Sequence, residues 1–137
     1  MQDCIFCKIA GKEVPAEIVF ESDSAVAFLD IRPINLGHTL VVPKQHFANI
    51  LDAPEGAMEG MISAARQIAP ALMNSVNADG ISIEMSSNAA AGQVIMHAHL
   101  HIIPRFKDDG LQHWPNKDIP SADLKTIAIE IRKKLSS

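Results

Sequence analysis

Three histidines alternate with apolar residues in the segment GQVIMHAHLHIIPR, which runs from position 92 to position 105. His97, His99 and His101 are three of the six histidines in the chain. Because alternate residues of a β-strand point to the same face, this spacing predicts a strand with three imidazoles in a row and with the intervening apolar residues facing a core. Two chemistries suit such a row. The imidazoles could together hold a catalytic zinc ion, or one could act as a nucleophile while its neighbours organise substrate charge.

A second group of candidate ligands lies near the N-terminus, where Cys4 and Cys7 are spaced C-x-x-C. Such a pair is either a redox couple or half of a metal site. A Cys₂His₂ zinc site needs two more ligands, and His46 and His97 are candidates. We favour structural zinc because thiolates select zinc over harder ions and because the cysteines do not lie beside a strand–helix unit of the thioredoxin type.

The composition excludes several classes of function. The chain has 137 residues, of which 47% are hydrophobic and 20% are charged, and its formal net charge is −4. These values predict one globular domain over residues 1–137. Lysine and arginine do not cluster, so DNA and RNA polymers are not expected partners, whereas a mononucleotide phosphate could still be held by backbone amides and histidines. No apolar run has the length of a signal sequence or a membrane span, which together with the C-x-x-C pair predicts a cytoplasmic protein without a membrane partner.

Five strands are predicted to position these residues. Apolar patterns bounded by turn residues predict strands at 16–22, 25–31, 38–44 and 78–85, and the histidine segment is the fifth. Two helices interrupt or follow them, so the order of elements predicts the α+β class. We expect a mostly antiparallel sheet with the helices packed against one of its faces.

The two predicted helices have clear apolar stripes. The first is predicted to begin at Asp52, which fits a capping box with Glu55, and Pro70 should kink or break it. The second is predicted to begin near Pro120–Ser121. The stripe of the first helix contains Met58, Met61, Ala65, Ile68, Leu72 and Val76, and that of the second contains Leu124, Ile127, Ala128, Ile131 and Leu135.

Several segments together resemble the histidine triad family of nucleotide hydrolases and transferases. The H-x-H-x-H run with apolar residues at x is the family signature. The segments CIFCKI, FLDIRP, GHTLVVPKQH, SSNAAAGQ and QHWP also resemble family segments and occur in the family order, from Cys4 to Pro115. The resemblance implies the histidine triad fold, with a five-stranded antiparallel sheet, one longer helix and one C-terminal helix. It also implies a homodimer in which the sheet continues across the two subunits.

The resemblance assigns the chemistry to two of the three histidines. His99 would attack the α-phosphorus of a nucleoside phosphate derivative and form a nucleotidyl-histidine intermediate, because neutral imidazole is a good nucleophile and leaves easily once phosphorylated. A backbone carbonyl would hold its other ring nitrogen. His101 would donate to the phosphate oxygens, and Gln93 would join it as a third catalytic residue. His38 is given a supporting role.

The segment before the histidines supplies contacts to the phosphate or the leaving group. Asn88 and Gln93 match family positions that hydrogen-bond these groups, and Gly92 lets the backbone approach the phosphate. Without the neighbouring motif, Asn88 and Gly92 would be interpreted as turn residues. Val94 stands where many nucleoside phosphoramidases carry serine or threonine, so a hydroxyl contact is lost while the backbone N–H is kept.

The resemblance also predicts a nucleotide pocket and one structural zinc ion per subunit. Asp30 would accept the two ribose hydroxyls, although a strand-end turn is an alternative role for it. The zinc ligands would be Cys4, Cys7, His46 and His97, and the chemical step would need no metal. His113 and Trp114 resemble a loop that closes the site in some members and could equally be a surface loop. The apolar walls of the base pocket would be Ile5, Phe6, Ile9, Phe28 and Ile31, which could also be ordinary core.

The predicted activity is hydrolysis of purine nucleoside 5′-phosphoramidates or related AMP conjugates through His99. One alternative is a dinucleoside polyphosphate hydrolase of the same fold. Another is a nucleotide-binding sensor or interaction protein with vestigial catalysis, and a third is an enzyme that uses all three histidines to hold a catalytic zinc ion.

Overall fold

The computed structural model describes residues 3–136 and contains a five-stranded antiparallel sheet. The strands are β1 (Ile18–Glu21), β2 (Ala25–Leu29), β3 (Thr39–Pro43), β4 (Gly80–Glu84) and β5 (Leu100–Arg105), and the helices are α1 (Ile5–Ala10), α2 (Ala57–Val76) and α3 (Ser121–Leu135). The strand order across the sheet is β1-β2-β3-β5-β4, and each neighbouring pair is antiparallel. The predicted α+β class and antiparallel sheet are therefore confirmed.

One face of the sheet packs against α2. Ala98, Leu100 and Ile102 are buried there with Met61 and Leu72 of α2, as the alternation of histidines and apolar residues predicts. However, β5 begins only at Leu100, so two of the three histidines precede the strand. The backbone N–H of Ala98 donates to the carbonyl of Phe47 at 2.8 Å, outside the sheet, which explains why the regular strand starts later than predicted.

Helix α2 begins at Ala57, and the predicted capping box is wrong. Its N-cap is Gly56, with a φ angle of 83° and no side-chain cap. The carboxylate of Asp52 instead accepts the backbone N–H groups of Ala48 and Asn49, at 3.1 and 2.9 Å, and so closes the preceding loop. The helix continues through Pro70 without a break.

Helix α1 was not predicted, because six residues are too short to show a helical period. Cys4 is its N-cap, and its buried residues Phe6 and Ile9 pack against Phe28 and Leu40 on the sheet face opposite α2. The prediction that all helices lie on one face is therefore wrong. Between Phe6, Leu40 and the histidines, this second face holds the candidate site.

Helix α3 forms close to where it was predicted but does not pack against the sheet. None of the residues in Ser121–Leu135 is buried. Leu124, Ile127 and Ile131 of its stripe are each more than half exposed. Among the described helices, α2 is the longest, and none of them is long and apolar enough to cross a membrane.

Candidate functional site

A cavity of about 550 Å³ lies between α1 and the sheet. His99 and His101 line one side of it, and Asp30 lines another. The other predicted residues in its wall are Ile5, Phe6, Ile9, Phe28, Ile31, Gly92 and Val94, and the residues not predicted are Val14, Pro15, Ala16, Leu29, Arg32, Leu40 and Ile95. A mostly apolar cavity with a few convergent polar groups is typical of a small-molecule site.

The imidazole of His99 is held in one tautomer. Its Nδ1 lies 2.7 Å from the carbonyl oxygen of His97, and because a carbonyl can only accept, Nδ1 carries the proton. The Nε2 atom of the neutral ring therefore keeps its lone pair. The ring of Phe6 packs edge-on against it, with the centroids 5.1 Å apart. His99 is thus fixed in orientation in the wall of the cavity, with Nδ1 committed to the His97 carbonyl.

A chain of hydrogen bonds also sets the tautomer of His101. The backbone N–H of Ile34 donates to Nδ1 of His38 at 3.1 Å, so the proton of His38 lies on Nε2. That Nε2 lies 2.9 Å from Nδ1 of His101, which must accept. The proton of neutral His101 is consequently on Nε2, where it can serve as a hydrogen-bond donor beside His99. The supporting role predicted for His38 has this physical basis.

Burial keeps His101 neutral. It lowers the pKa of His101 to about 4, with smaller contributions from the neighbouring His99 and His38, while Asp30 opposes the change. Burial also lowers the pKa of His38, against the opposing charges of Asp30 and Glu84. At neutral pH the pair therefore acts as an uncharged relay of hydrogen bonds.

Stability should depend on pH through His101. The unfolded chain binds a proton near the ordinary histidine pKa of about 6.5, whereas the folded chain does so only near 4, so stability is lost as the pH falls through this window. Between pH 7 and pH 5 this amounts to at most about 2 kcal/mol. We expect the unfolding free energy of His101→Gln, measured in urea titrations, to fall less between pH 7 and pH 5 than that of the wild type. His113→Gln, at an exposed position, should keep the wild-type dependence.

Asp30 lies at the end of β2 with room for further hydrogen bonds. Its Oδ1 accepts the backbone N–H of Arg32 at 2.8 Å, which is the turn role considered above. Its Oδ2 lies 3.7 Å from Nε2 of His38. Each carboxylate oxygen has a second acceptor site, so the same carboxylate can close the turn and accept hydroxyl groups from a ligand in the cavity.

Gln93 and Asn88 do not line the cavity, according to the described residues around it. Gln93 is 4% exposed, and its amide donates to the carbonyls of Ala48 and Ile95, at 2.6 and 2.9 Å. Its Oε1 accepts from the Asn88 backbone N–H at 2.8 Å and from Asn49 Nδ2 at 3.1 Å. With four partners inside the protein, the amide of Gln93 has a positioning role for the surrounding loop, and its contact with a phosphate stays a prediction.

The buried amide of Gln93 should stabilise the fold strongly. Gln93→Leu leaves two donors and two carbonyls without their partner, and we expect it to cost about 2–4 kcal/mol of unfolding free energy. Gln112→Leu, the same change at an exposed position, should cost less than about 0.5 kcal/mol. Chemical denaturation of both variants makes the comparison. Equal losses would contradict the positioning role.

Asn88 and Gly92 bracket a short 3-10 helix, Ala89–Ala91, beside the cavity. Their φ angles are 74° and 101°. Positive φ favours asparagine and glycine, so the turn role weighed for these two residues is present. Asn49, which was not predicted, joins this segment by donating to the side-chain oxygens of Asn88 and Gln93, both at 3.1 Å. No pattern in the sequence marks it.

Cys4, Cys7, His46 and His97 come together as a group of potential metal ligands. Their donor atoms all lie within 4.8 Å of one another. Nδ1 of His97 is 3.3 Å from the sulfur of Cys4 and 3.1 Å from Nδ1 of His46. In a tetrahedral zinc site with the usual bond lengths, such donors are separated by about 3.3–3.8 Å. The four residues therefore fit a zinc ion with little rearrangement.

The hydrogen bonding of His97 supports this assignment. Its Nε2 donates to the carbonyl of Pro43 at 2.9 Å, so its Nδ1 is unprotonated and faces the sulfurs and His46. A ligating histidine is commonly oriented by such a bond from its other nitrogen. His97, His99 and His101 form no common ligand group among the described residues, since their ring nitrogens have separate partners. The geometry gives no support to a zinc ion held by all three.

A family model described as HIT domain matches residues 11–108 of the chain. The chain belongs to the HIT family. Among curated HIT relatives, Protein hit of Bacillus subtilis is 36% identical over 140 residues, which cover 99% of this chain and 97% of that protein. Adenylylsulfatase HINT3 of Arabidopsis thaliana is 36% identical over 123 residues, which cover 90% of this chain and 61% of that protein.

Several solved structures share the fold. A protein from Streptococcus mutans superimposes with a TM-score of 0.93 at 36% identity, over 98% of this chain and 87% of that one. The histidine triad nucleotide-binding protein of Candida albicans gives 0.88 at 28% identity, over 98% of both chains. A Zn-bound histidine triad family protein of Mycobacterium smegmatis gives 0.77 at 32% identity, over 99% of both. The predicted membership of the histidine triad family is confirmed.

Proposed function

We propose that the protein hydrolyses purine nucleoside 5′-phosphoramidates or related AMP conjugates through a nucleotidyl intermediate on His99. The observation that carries this proposal is the fixed tautomer of His99. Its Nδ1–H is committed to the His97 carbonyl, so the lone pair of Nε2 is available for attack without prior deprotonation. The neighbouring cavity provides space for a nucleotide.

The reaction has two steps. In the first, Nε2 of His99 forms a bond to the α-phosphorus, the bond from phosphorus to the leaving nitrogen or oxygen breaks, and the leaving group takes up a proton from the solvent. In the second, water attacks the same phosphorus, the bond to Nε2 breaks, and AMP and a proton are released with neutral His99. The Nε2–H of His101 stabilises the phosphate oxygens in both steps because its donor position is set by His38.

The cavity supports an adenosine monophosphate moiety as the common part of the substrates. The carboxylate of Asp30 is suited to a cis-diol, and the apolar walls formed by Phe6, Ile9 and Phe28 suit a purine. Val94 is 88% exposed at the cavity, and we assign the phosphate contact there and at Gly92 to the backbone. The name of the Arabidopsis relative, an adenylylsulfatase, is compatible with AMP joined to a varied leaving group.

We assign zinc and a second subunit as structural partners. Zinc bound by the two cysteines with His46 and His97 would hold α1 beside the cavity and supply no chemistry to the reaction. The Mycobacterium smegmatis relative is described as Zn-bound. Strand β4 lies at one edge of the sheet and offers its outer edge to a second copy, which supports a homodimer with a continuous sheet.

Mass spectrometry of the intact protein tests the proposal directly. The protein is mixed briefly with an adenosine phosphoramidate and quenched over a series of times, with His99→Ala alongside. We expect a mass increase of one adenylyl group in the wild type alone. Turnover without any adduct at the shortest times would contradict the covalent mechanism. AMP binding with neither adduct nor turnover would instead support a nucleotide sensor.

A further inference from the structure

We infer that Glu84 selects substrates whose leaving group carries a positive charge, which it attracts into a second cavity beside His101. This inference rests on the proposed function, because it concerns the leaving group of the same reaction. Glu84 lies in β4, outside the histidine run and outside the other segments that resemble the histidine triad family. Its position relative to His101 and the charges around it carry the assignment.

A second cavity of about 420 Å³ lies on the face of the sheet that holds His101. Directly paired residues of antiparallel strands point to the same face, and Glu84 of β4 is paired with His101 of β5. Alternate residues of β5 share this face, so Ile103 and Arg105 follow His101 along the strand. The second cavity therefore begins beside the histidine that lines the first cavity, between α1 and the sheet. Its wall contains Ile34, Ser82, Glu84, Ile103, Arg105 and residues 111–114.

The pair formed by His38 and His101 connects the two cavities. Nε2 of His38 lies 2.9 Å from Nδ1 of His101, which lines the first cavity. Nδ1 of His38 accepts the backbone N–H of Ile34, which lines the second cavity. The carboxylate of Glu84 is close enough to His38 that its charge opposes the fall in pKa caused by burial of that imidazole. A group attached to a phosphate at His101 is thus within reach of the Glu84 carboxylate.

The order of the strands places the two halves of a substrate on opposite sides of β5. Phe28 of β2 and Leu40 of β3 line the first cavity, and Glu84 of β4 lines the second. In the order β2-β3-β5-β4, the strand that carries His101 lies between them. The nucleoside of the proposed substrate occupies the first cavity, so its leaving group is free to extend over β4. Pairing of β4 with a second copy would use the backbone edge and keep Glu84 on this face.

The charges in the second cavity favour a cation. Both Nε and Nη2 of Arg105 donate to the carboxylate of Asp109, at 2.8 and 3.3 Å, so the positive charge of Arg105 is matched. The side chain of Glu84 is exposed, and its carboxylate has no hydrogen bond or ion pair within residues 3–136. Of the Asp, Glu, Lys and Arg side chains in the described wall, Glu84 therefore carries the unmatched charge. This carboxylate attracts an ammonium or guanidinium group and repels another carboxylate.

Three adenosine 5′-phosphoramidates of similar length test this selection. Their amines are 1,4-diaminobutane, pentylamine and 4-aminobutanoate, which end in an ammonium group, a methyl group and a carboxylate respectively. We expect kcat/KM of the zinc-loaded wild type to be about threefold to fivefold higher for the ammonium compound than for the methyl compound. The carboxylate compound should have the lowest value. The preference should weaken as salt is added, because the interacting charges are exposed to solvent.

Glu84→Gln removes the charge and keeps the shape of the side chain. We expect this variant to lose the preference for the ammonium compound over the methyl compound. The matched control is Glu55→Gln, which makes the same change in net charge at an exposed position outside both cavities and should keep the wild-type ratio of kcat/KM values. An unchanged ratio in Glu84→Gln would overturn the inference, as would an equal change in the two variants.

Affinities measured in the His99→Ala background test the selection without turnover. Calorimetry compares the ammonium and methyl compounds as ligands of His99→Ala and of the double variant that also carries Glu84→Gln. We expect His99→Ala to bind the ammonium compound more tightly and the double variant to bind both compounds equally. Absence of turnover by the wild type would contradict the proposed function, and the affinities would still decide the role of Glu84. Equal affinities of His99→Ala for the two compounds would overturn that role.

Discussion

Replacement of His99 by alanine is expected to lower kcat/KM for an adenosine phosphoramidate by at least about 10⁴-fold. The variant removes the nucleophile, and neither neighbour can replace it. Nδ1 of His101 is engaged by His38, and its Nε2 carries the proton. His97 faces the cysteines. Steady-state kinetics measures the fall in kcat/KM. Because a trace of wild-type enzyme would mask a fall of this size, the purified variant must be free of it.

The same variant should still bind AMP. The contacts assigned to the nucleotide come from Asp30, the apolar walls, His101 and the backbone at Gly92 and Val94. His99→Ala leaves all of these in place, so we expect the dissociation constant of AMP to change less than about tenfold in calorimetry. A loss of AMP affinity as large as the loss of kcat/KM would mean that the cavity had collapsed. His113→Ala removes an exposed histidine and provides the control for folding. Retention of catalysis by His99→Ala would exclude the covalent mechanism.

The sheet could be predicted from the sequence because its signals are local. Alternation of apolar and polar residues, with turns between, indicates strands whatever the rest of the chain does. Burial of Ala98, Leu100 and Ile102 follows from that alternation. The start of β5 does not, because it depends on a hydrogen bond between Ala98 and Phe47, which are far apart in the sequence.

Only part of the candidate site could be predicted from the sequence. The grouping of both cysteines with His46 and His97 followed from ligand types, and the structure brings these residues together. The phosphate contact of Gln93 stays a prediction, and nothing in the sequence reveals that its amide is enclosed by two carbonyls and two N–H donors. The tautomer of His101 likewise depends on Ile34, which no motif includes.

The position of α3 could not be predicted from its apolar stripe. A stripe indicates that a helix packs, but it does not identify the surface. The prediction assumed the chain's own sheet, whereas no residue of Ser121–Leu135 is buried. Fifteen residues with this pattern give the same signal whether the partner surface belongs to the same chain or to another.

Loss of the zinc site is expected to have the second large effect, on stability and on nucleotide affinity. Helix α1 has six residues, and Cys4 and Cys7 lie at its start. Phe6 of the same helix contacts both Phe28 and His99, with ring centroids 5.5 and 5.1 Å apart. A helix this short is not stable alone. Without the proposed zinc ion, α1 should detach and open one wall of the cavity.

His46→Gln removes one ligand without touching α1. We expect it to lose bound zinc, measured by elemental analysis, and to lower the unfolding free energy by at least about 3 kcal/mol. His113→Gln makes the same substitution at an exposed histidine outside the cluster and should keep both zinc and stability. Equal zinc content in the two variants would contradict the assignment of His46 as a ligand.

The kinetics of the folded His46→Gln variant distinguish a structural from a catalytic metal. If zinc only holds α1, KM for the phosphoramidate should rise about tenfold or more, because Phe6 and Ile9 leave the cavity wall, while kcat falls by less. A catalytic zinc ion would reverse this pattern, with a collapse of kcat at a modest change in KM. His99 keeps its bond to the His97 carbonyl through the backbone, so its tautomer does not require the metal. A fall in kcat by a larger factor than the rise in KM would therefore contradict the structural role.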